Sequence, residues 1–264
     1  MKRLKKFWKT KIRVLLPNPI KRLLAKIGNS LFPFSPNIYS TTSRDEFLLY
    51  MSKINEKQEK NNAAQSWWSI QTDWTAKFTT PKRYNILSNF ILQKFVPFLQ
   101  PDFVVCDLAC ACGDFSFLIA DKVKQIDAFD LAEGMIKTAI RTVKKKKINN
   151  IVFKQADALT INLGTNKYDA FMMLGLLTCI DDPYIIEIVK KVHHSMKDRA
   201  KLIIKDSLTL CDSTEYIYCS ASGYSAYYHN QKEYLDFFNK NGFKLLDIVS
   251  LEEDKSISCI FEKN

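Results

Sequence analysis

The run Val104-Val105-Cys106-Asp107-Leu108-Ala109-Cys110-Ala111-Cys112-Gly113-Asp114 is an apolar strand that passes through small residues into a helix. Small side chains at such a turn let backbone amides approach a ligand closely, which is how strand-loop-helix units hold nucleotides. Two acids follow later apolar runs: Asp130 closes Ile126-Asp127-Ala128-Phe129, and Asp157 follows Phe153-Lys154-Gln155-Ala156. A carboxylate at the end of the second strand is placed to take ribose hydroxyls. Asp130 could instead cap the next helix, and Asp157 could simply shape a turn. For proton chemistry the candidates are His229, whose imidazole titrates near neutrality, and Asp206, which could orient or replace it. His193 and His194 fall on a helix and read as structural or surface residues.

These residues need a scaffold, and the apolar pattern supplies one. Strands are expected near 103–108, 125–130, 151–155, 168–174 and 200–206, with helices near 114–124, 132–147 and 183–197. Met135, Ile136, Ala139, Ile140 and Val143 give the second helix an apolar face. Strand and helix in alternation make an α/β fold: a parallel sheet with helices on both faces. The tail breaks the rhythm: a helix near 230–241 stops at Asn241-Gly242, and strands near 243–249 and 256–262 should form an antiparallel hairpin at the sheet edge. Upstream, Thr80-Pro81 starts a helix that Pro97 and Pro101 end. The chain divides into a basic amphipathic arm over 1–40, a helical cap over 41–100 and a catalytic domain over 101–264.

The stretch from Asp107 to Gly113 resembles motif I of the class I S-adenosylmethionine-dependent methyltransferases, D-L-A-C-G-x-G. Asp107, Leu108, Ala109, Cys110 and Gly113 match it, and Ala111 stands where the family has glycine. The segments around Asp130-Leu131-Ala132-Glu133-Gly134-Met135, around Asp157 and from Tyr168 to Pro183 resemble the family's next three motifs, in order. The resemblance implies a Rossmann-like, seven-stranded, mostly parallel sheet and S-adenosylmethionine as cofactor. It places Asp107, Ala109, Cys110, Ala111 and Gly113 in the loop under the cofactor. Asp130, Leu131 and Met135 take the ribose side, Asp157 and Ala158 the adenine, and Leu174 the fourth strand's end. Arg83, with Trp74 and Phe78 as alternatives, closes over the methionine part.

The acceptor is narrowed by what is missing. The family's amino-group enzymes for adenine or glutamine carry D/N-P-P-Y after the fourth strand, where Leu174-Gly175-Leu176-Leu177 stands here. Cys179 lies in an apolar run and reads as a buried structural thiol, and no metal-ligand pattern is visible. O-methylation of a small molecule, sugar or glycan remains, with an RNA methyltransferase or a non-catalytic cofactor-binding protein as alternatives. The segment 207–230, rich in Tyr216, Tyr218, Tyr224, Tyr227 and Tyr228, reads as a long loop serving as a lid. Its rings suit a sugar face or pack beneath the loop.

Net charge is +11, but ten lysines and arginines fall within residues 2–26, before the first acid, Asp45, so the body is close to neutral. Phe7, Trp8, Leu15, Leu16, Leu23 and Leu24 interleave with them, so residues 1–30 suit an anionic membrane surface, with nucleic acid or a protein as other partners. Pro17 and Pro19 cut the apolar run too short for a signal peptide. The seven cysteines show no disulfide or zinc spacing. Together these predict a cytoplasmic protein, peripheral at the inner face of a membrane.

Overall fold

Val105, Cys106, Ile126, Ala128, Phe171 and Met172 are all buried, so their strands lie in the middle of a sheet covered on both faces. The computed structural model describes residues 41–42, 69–70, 81–180, 182–209, 215–219, 224–251 and 256–264. A two-residue strand, β1 (Thr41–Thr42), is followed by α1 (Pro81–Phe90), which runs through a π turn (Ile91–Phe95) into a 3-10 turn (Val96–Phe98). Then come β2 (Val104–Leu108), α2 (Asp114–Ile119), β3 (Gln125–Asp130), α3 (Glu133–Lys146) and β4 (Ile151–Gln155). β5 (Tyr168–Leu174), α4 (Asp182–Ser195) and β6 (Met196–Thr209) complete the alternating part. The rest is β7 (Glu215–Cys219), β8 (Tyr224–Asn230), α5 (Gln231–Lys240), β9 (Phe243–Leu251) and β10 (Ser256–Lys263).

The main sheet has the order β9-β10-β6-β5-β2-β3-β4. Its strands are parallel except β10, which is antiparallel to both neighbours. This is the expected seven-stranded α/β sheet with a reversed C-terminal hairpin. One face buries Leu87, Phe95, Val105, Ile126 and Ile136 under α1, α2 and α3. The other buries Tyr168, Phe171, Val189, Phe238 and Phe261 under α4 and α5. Each such side chain removed from water contributes roughly 1.5–3 kcal/mol.

Several expectations are corrected. Within the expected cap over 41–100, Leu87, Phe90, Ile91, Phe95 and Leu99 share one core with Val105 and Ile203, and Thr41–Thr42 is a strand paired with β7. The helix expected to 124 stops at Ile119, because Asn150 Nδ2 donates to the carbonyls of Ala120 and Val123 (2.7 and 2.9 Å) and holds a 3-10 turn there. The segment 207–230 is not a loop lid: β7 and β8 form an antiparallel hairpin, and β8 runs parallel to the end of β6 through Leu208↔His229. Among the described residues no helix is long and apolar enough to cross a membrane. The basic arm, Trp74 and Phe78 lie outside the described residues.

Candidate active site

The C-terminal ends of β2, β3, β4 and β5 open into one pocket, where open α/β sheets bind their ligands. Its floor is the β2-α2 loop. There Ala109 and Ala111 take left-handed backbone angles (φ +68° and +49°), and Gly113, at +83°, starts α2. The loop is pinned to the sheet, since the amides of Ala109 and Cys110 both donate to the Phe129 carbonyl (2.8 and 2.9 Å). Asp130 ties it further, accepting from the amide of Ala111 on one oxygen (2.8 Å) and from that of Ala132 on the other (2.9 Å). Its carboxylate therefore holds the turn that leads into α3 and faces the pocket at once.

Left-handed backbone costs a residue with a Cβ roughly 1–2 kcal/mol. Ala111→Gly should therefore stabilise the protein by about 1 kcal/mol after the loss of unfolded-state entropy is subtracted. Urea unfolding of the two proteins checks it, and a destabilised variant would mean that the alanine Cβ packs usefully.

Asp107, 2% exposed, accepts from the Ser116 hydroxyl at 2.5 Å. Burial pushes its carboxyl up to about 7, the neighbouring Asp130 adds to the rise, and the Ser116 bond opposes it. Burial likewise raises Asp130, against the amides of Ala132 and Ala111. Asp157 accepts from the Leu159 amide on Oδ1 (2.8 Å), so it shapes the turn after β4 while lining the pocket. Lys191 of α4 holds that turn from behind, donating to the carbonyls of Ala158 and Leu159 (3.1 and 2.6 Å). Nothing in the sequence near Lys191 marks this role.

Of the residues assigned to the cofactor whose side chains are described, all but Gly113 line the pocket. Gly113 stands behind the loop, and Arg83 lies in the first turn of α1. The pocket also takes in Phe115, Gly175, Leu176, Cys179 and Ile180. Phe115 stacks on Tyr84 of α1 (5.5 Å, 23°). Cys179 is thus pocket wall and not a buried thiol; it sits in a 3-10 turn (Leu177–Cys179) just beyond the fourth motif.

The two proton-transfer candidates lie apart from this pocket lining. Asp206 is 1% exposed; its Oδ1 accepts from the hydroxyl and amide of Thr178 (2.7 and 3.2 Å) and its Oδ2 from the Tyr234 hydroxyl (2.6 Å). Burial raises its pKa, and these bonds oppose the rise. Asp206 is an anchor joining β6, the 177–179 turn and α5, and it is buried there. His229 is at the end of β8, with its ring 6.0 Å from that of Tyr234. His193 packs edge-on against Phe243 (5.2 Å) and His194 meets the Thr165 hydroxyl (2.7 Å), consistent with structural roles.

The donor set tests what the pocket can hold. Four carboxylates, Asp107, Asp114, Asp130 and Asp157, are spaced around walls made by Leu131, Met135, Ala156 and Leu174. That combination fits a cation that also carries a diol and a flat base, which describes S-adenosylmethionine. With its sheet order, the pocket defines a class I methyltransferase fold.

Residues 105–199 match the family described as a methyltransferase domain. This stretch is a methyltransferase domain, and S-adenosylmethionine is its cofactor. Similar solved structures include a Leishmania major S-adenosylmethionine-dependent methyltransferase (TM-score 0.62, 13% identity, 77% of this chain and 82% of that one). A Mesorhizobium loti S-adenosylmethionine-dependent methyltransferase gives 0.55 at 12% identity, over 67% of this chain and 98% of that one. The [4+2]-cyclase SpnF gives 0.59 at 12% identity, over 74% and 86%. A cyclase among them shows that the fold alone does not fix the reaction. In sequence, 59 residues are 37% identical to the 23S rRNA (uracil(1939)-C(5))-methyltransferase RlmD of Aliivibrio salmonicida. That match covers 22% of this chain and only 14% of the relative.

Proposed function

We propose that this protein transfers the methyl group of S-adenosylmethionine to a hydroxyl of a small molecule, sugar or glycan. The observation that carries the reading is the pocket itself, in which four carboxylates stand beside an apolar wall, a lining suited to a cationic cofactor. The cofactor supplies the activated methyl group. In this reading Asp130 holds the ribose hydroxyls, Asp157 meets the adenine edge and Asp107 faces the positive end. Gly175, Leu176, Cys179 and Ile180 then border the acceptor, without the amino-binding motif of the base and glutamine enzymes.

An acceptor hydroxyl must lose its proton as the methyl group arrives, and an in-line displacement otherwise asks mainly for positioning. Asp206 is buried outside the pocket lining, so the reading assigns proton removal to His229, on the hairpin beside Tyr234. His229→Ala should leave cofactor affinity unchanged and lower turnover about a hundredfold. Full turnover in that variant would remove His229 from the mechanism.

The deciding experiment incubates the full chain with methyl-labelled S-adenosylmethionine and fractionated cell extract. Label in the lipid, glycan or small-molecule fractions is expected; label confined to protein would overturn the reading. The rRNA-methyltransferase match and the basic arm favour RNA as a second reading. Label in RNA, with affinity that falls steeply with salt, would establish it. We further propose that residues 1–30 bring the enzyme to an anionic membrane surface at the cytoplasmic face.

A further inference from the structure

At the other end of the sheet, the N-terminal ends of β2, β5 and β6 border a second cavity, lined by Phe98, Phe103 and the segment 197–201. Pairing of β5 with β6 shifts there: Tyr168 faces Met196, but Ala170 faces Lys201. β6 therefore bulges between those two points. Bulges of this kind re-aim side chains, and they are concentrated next to functional sites. Within the bulge Arg199 holds a left-handed backbone (φ +60°). Its carbonyl is fixed in that state by Lys201, whose Nζ donates to it at 2.8 Å. An arginine at such an angle costs of order 1–3 kcal/mol that a glycine would not.

The charges around the cavity are mostly compensated. Lys197 pairs with Asp169 (2.7 Å), whose other oxygen accepts from the Val104 amide (2.9 Å). Lys201 pairs with Glu262 (2.6 Å) and lies over the Phe98 ring (5.5 Å). Asp198, 87% exposed, faces Lys263 at 3.6 Å. Arg199 is exposed, and among the described residues its guanidinium has no hydrogen bond or ion pair. Lys201 and, more weakly, the charge of Arg199 hold the Glu262 carboxyl below its usual range. A strained residue thus brings a five-donor fork without a hydrogen-bond partner among the described residues to the lining of a cavity that also contains Phe98 and Phe103, with Lys197 close by in sequence. A guanidinium fork matches phosphate geometry, and Phe98, 37% exposed, offers ring surface to a flat group.

We propose that this cavity is a second binding site, taking a phosphate monoester carried on a flat ring, with Arg199 holding the phosphate and Phe98 the ring. The cofactor pocket lies at the opposite ends of the strands, so the two sites can be filled together.

The test titrates AMP and phenyl phosphate into the full chain already saturated with S-adenosylhomocysteine, which keeps both probes out of the cofactor pocket. Arg199→Gly should weaken both probes about tenfold to a hundredfold, the range for one charge-assisted contact. Its melting temperature should stay the same or rise, because glycine accepts φ +60°, so the loss cannot come from unfolding. Phe98→Ala should weaken AMP and phenyl phosphate severalfold and leave inorganic phosphate unaffected. Preference for AMP assigns a nucleotide, and equal affinities assign an aryl phosphate more broadly; both stand within the proposal. No binding of either probe, or equal binding by wild type and Arg199→Gly, overturns it.

Discussion

Asp107→Asn is expected to make the cofactor-free protein more stable at pH 8, by about 4 kcal/mol, while weakening its hold on S-adenosylmethionine. The Asp107 carboxyl ionises near 7 in the fold, against 3.8 ordinarily, because it is buried beside Asp130. Between those two values the folded chain keeps a proton that the unfolded chain has released. Stability therefore falls as pH rises through the window and levels off above about 7. Asparagine carries no charge to bury and still accepts from Ser116. The two proteins should melt alike near pH 4 and separate progressively to pH 7, a pattern that urea or thermal unfolding at pH 4, 6 and 8 would show. A cationic ligand favours the ionised form, so wild-type affinity for S-adenosylmethionine should rise through pH 7, whereas the variant's should be flat in that range. Equal stability at pH 8 would sink the account, because it would mean that the carboxylate bears no burial cost.

The same carboxylate explains why the cofactor half of the site was legible in the sequence. Asp107, Asp130 and Asp157 each sit at or just beyond the end of an apolar strand, and strand ends are what hydrophobic patterning locates well. Asp157 also carries the turn role that local reasoning offered as its alternative, and Asp130 holds the turn before α3 without capping the helix, each alongside lining the pocket. One carboxylate has enough lone pairs for both.

What stayed hidden depends on contacts between distant residues. Asp206 looked like a base because it closes a strand, but Tyr234 and Thr178 occupy it, each 28 positions away. The hairpin β7-β8 was within reach: Tyr216-Ile217-Tyr218 has strand propensity, and Ser220 to Gly223 has turn composition. The abundance of tyrosine and serine made it resemble a loop. Arg199 could not be singled out at all, since neither its left-handed angle nor the bulge leaves a mark on the residue type. The cofactor site is thus written in local pattern, and the features that distinguish this chain within its fold are written in register and strain.

Gly113→Ala should cost about 3 kcal/mol and abolish cofactor binding in the part of the population that still folds. Two terms combine. The residue sits at φ +83°, where any Cβ is strained. That Cβ would also lie 2.5 Å from Cζ and 2.7 Å from Cε1 of Phe153, and 3.3 Å from Cζ of Phe117. Phe153 cannot step aside cheaply, because it is buried in the β4 layer and meets Phe117 edge-on at 5.6 Å. The new methyl group must therefore push the β2-α2 loop, and with it the Ala111 amide that Asp130 holds. Denaturant midpoints give the stability change, and calorimetry with S-adenosylmethionine gives the loss of binding. Adding Phe153→Leu separates the two terms: room at the ring should restore one to two kcal/mol relative to the sum of the single variants, leaving only the backbone strain. If the double variant is no better than additive, the ring contact is not what fixes glycine at this position.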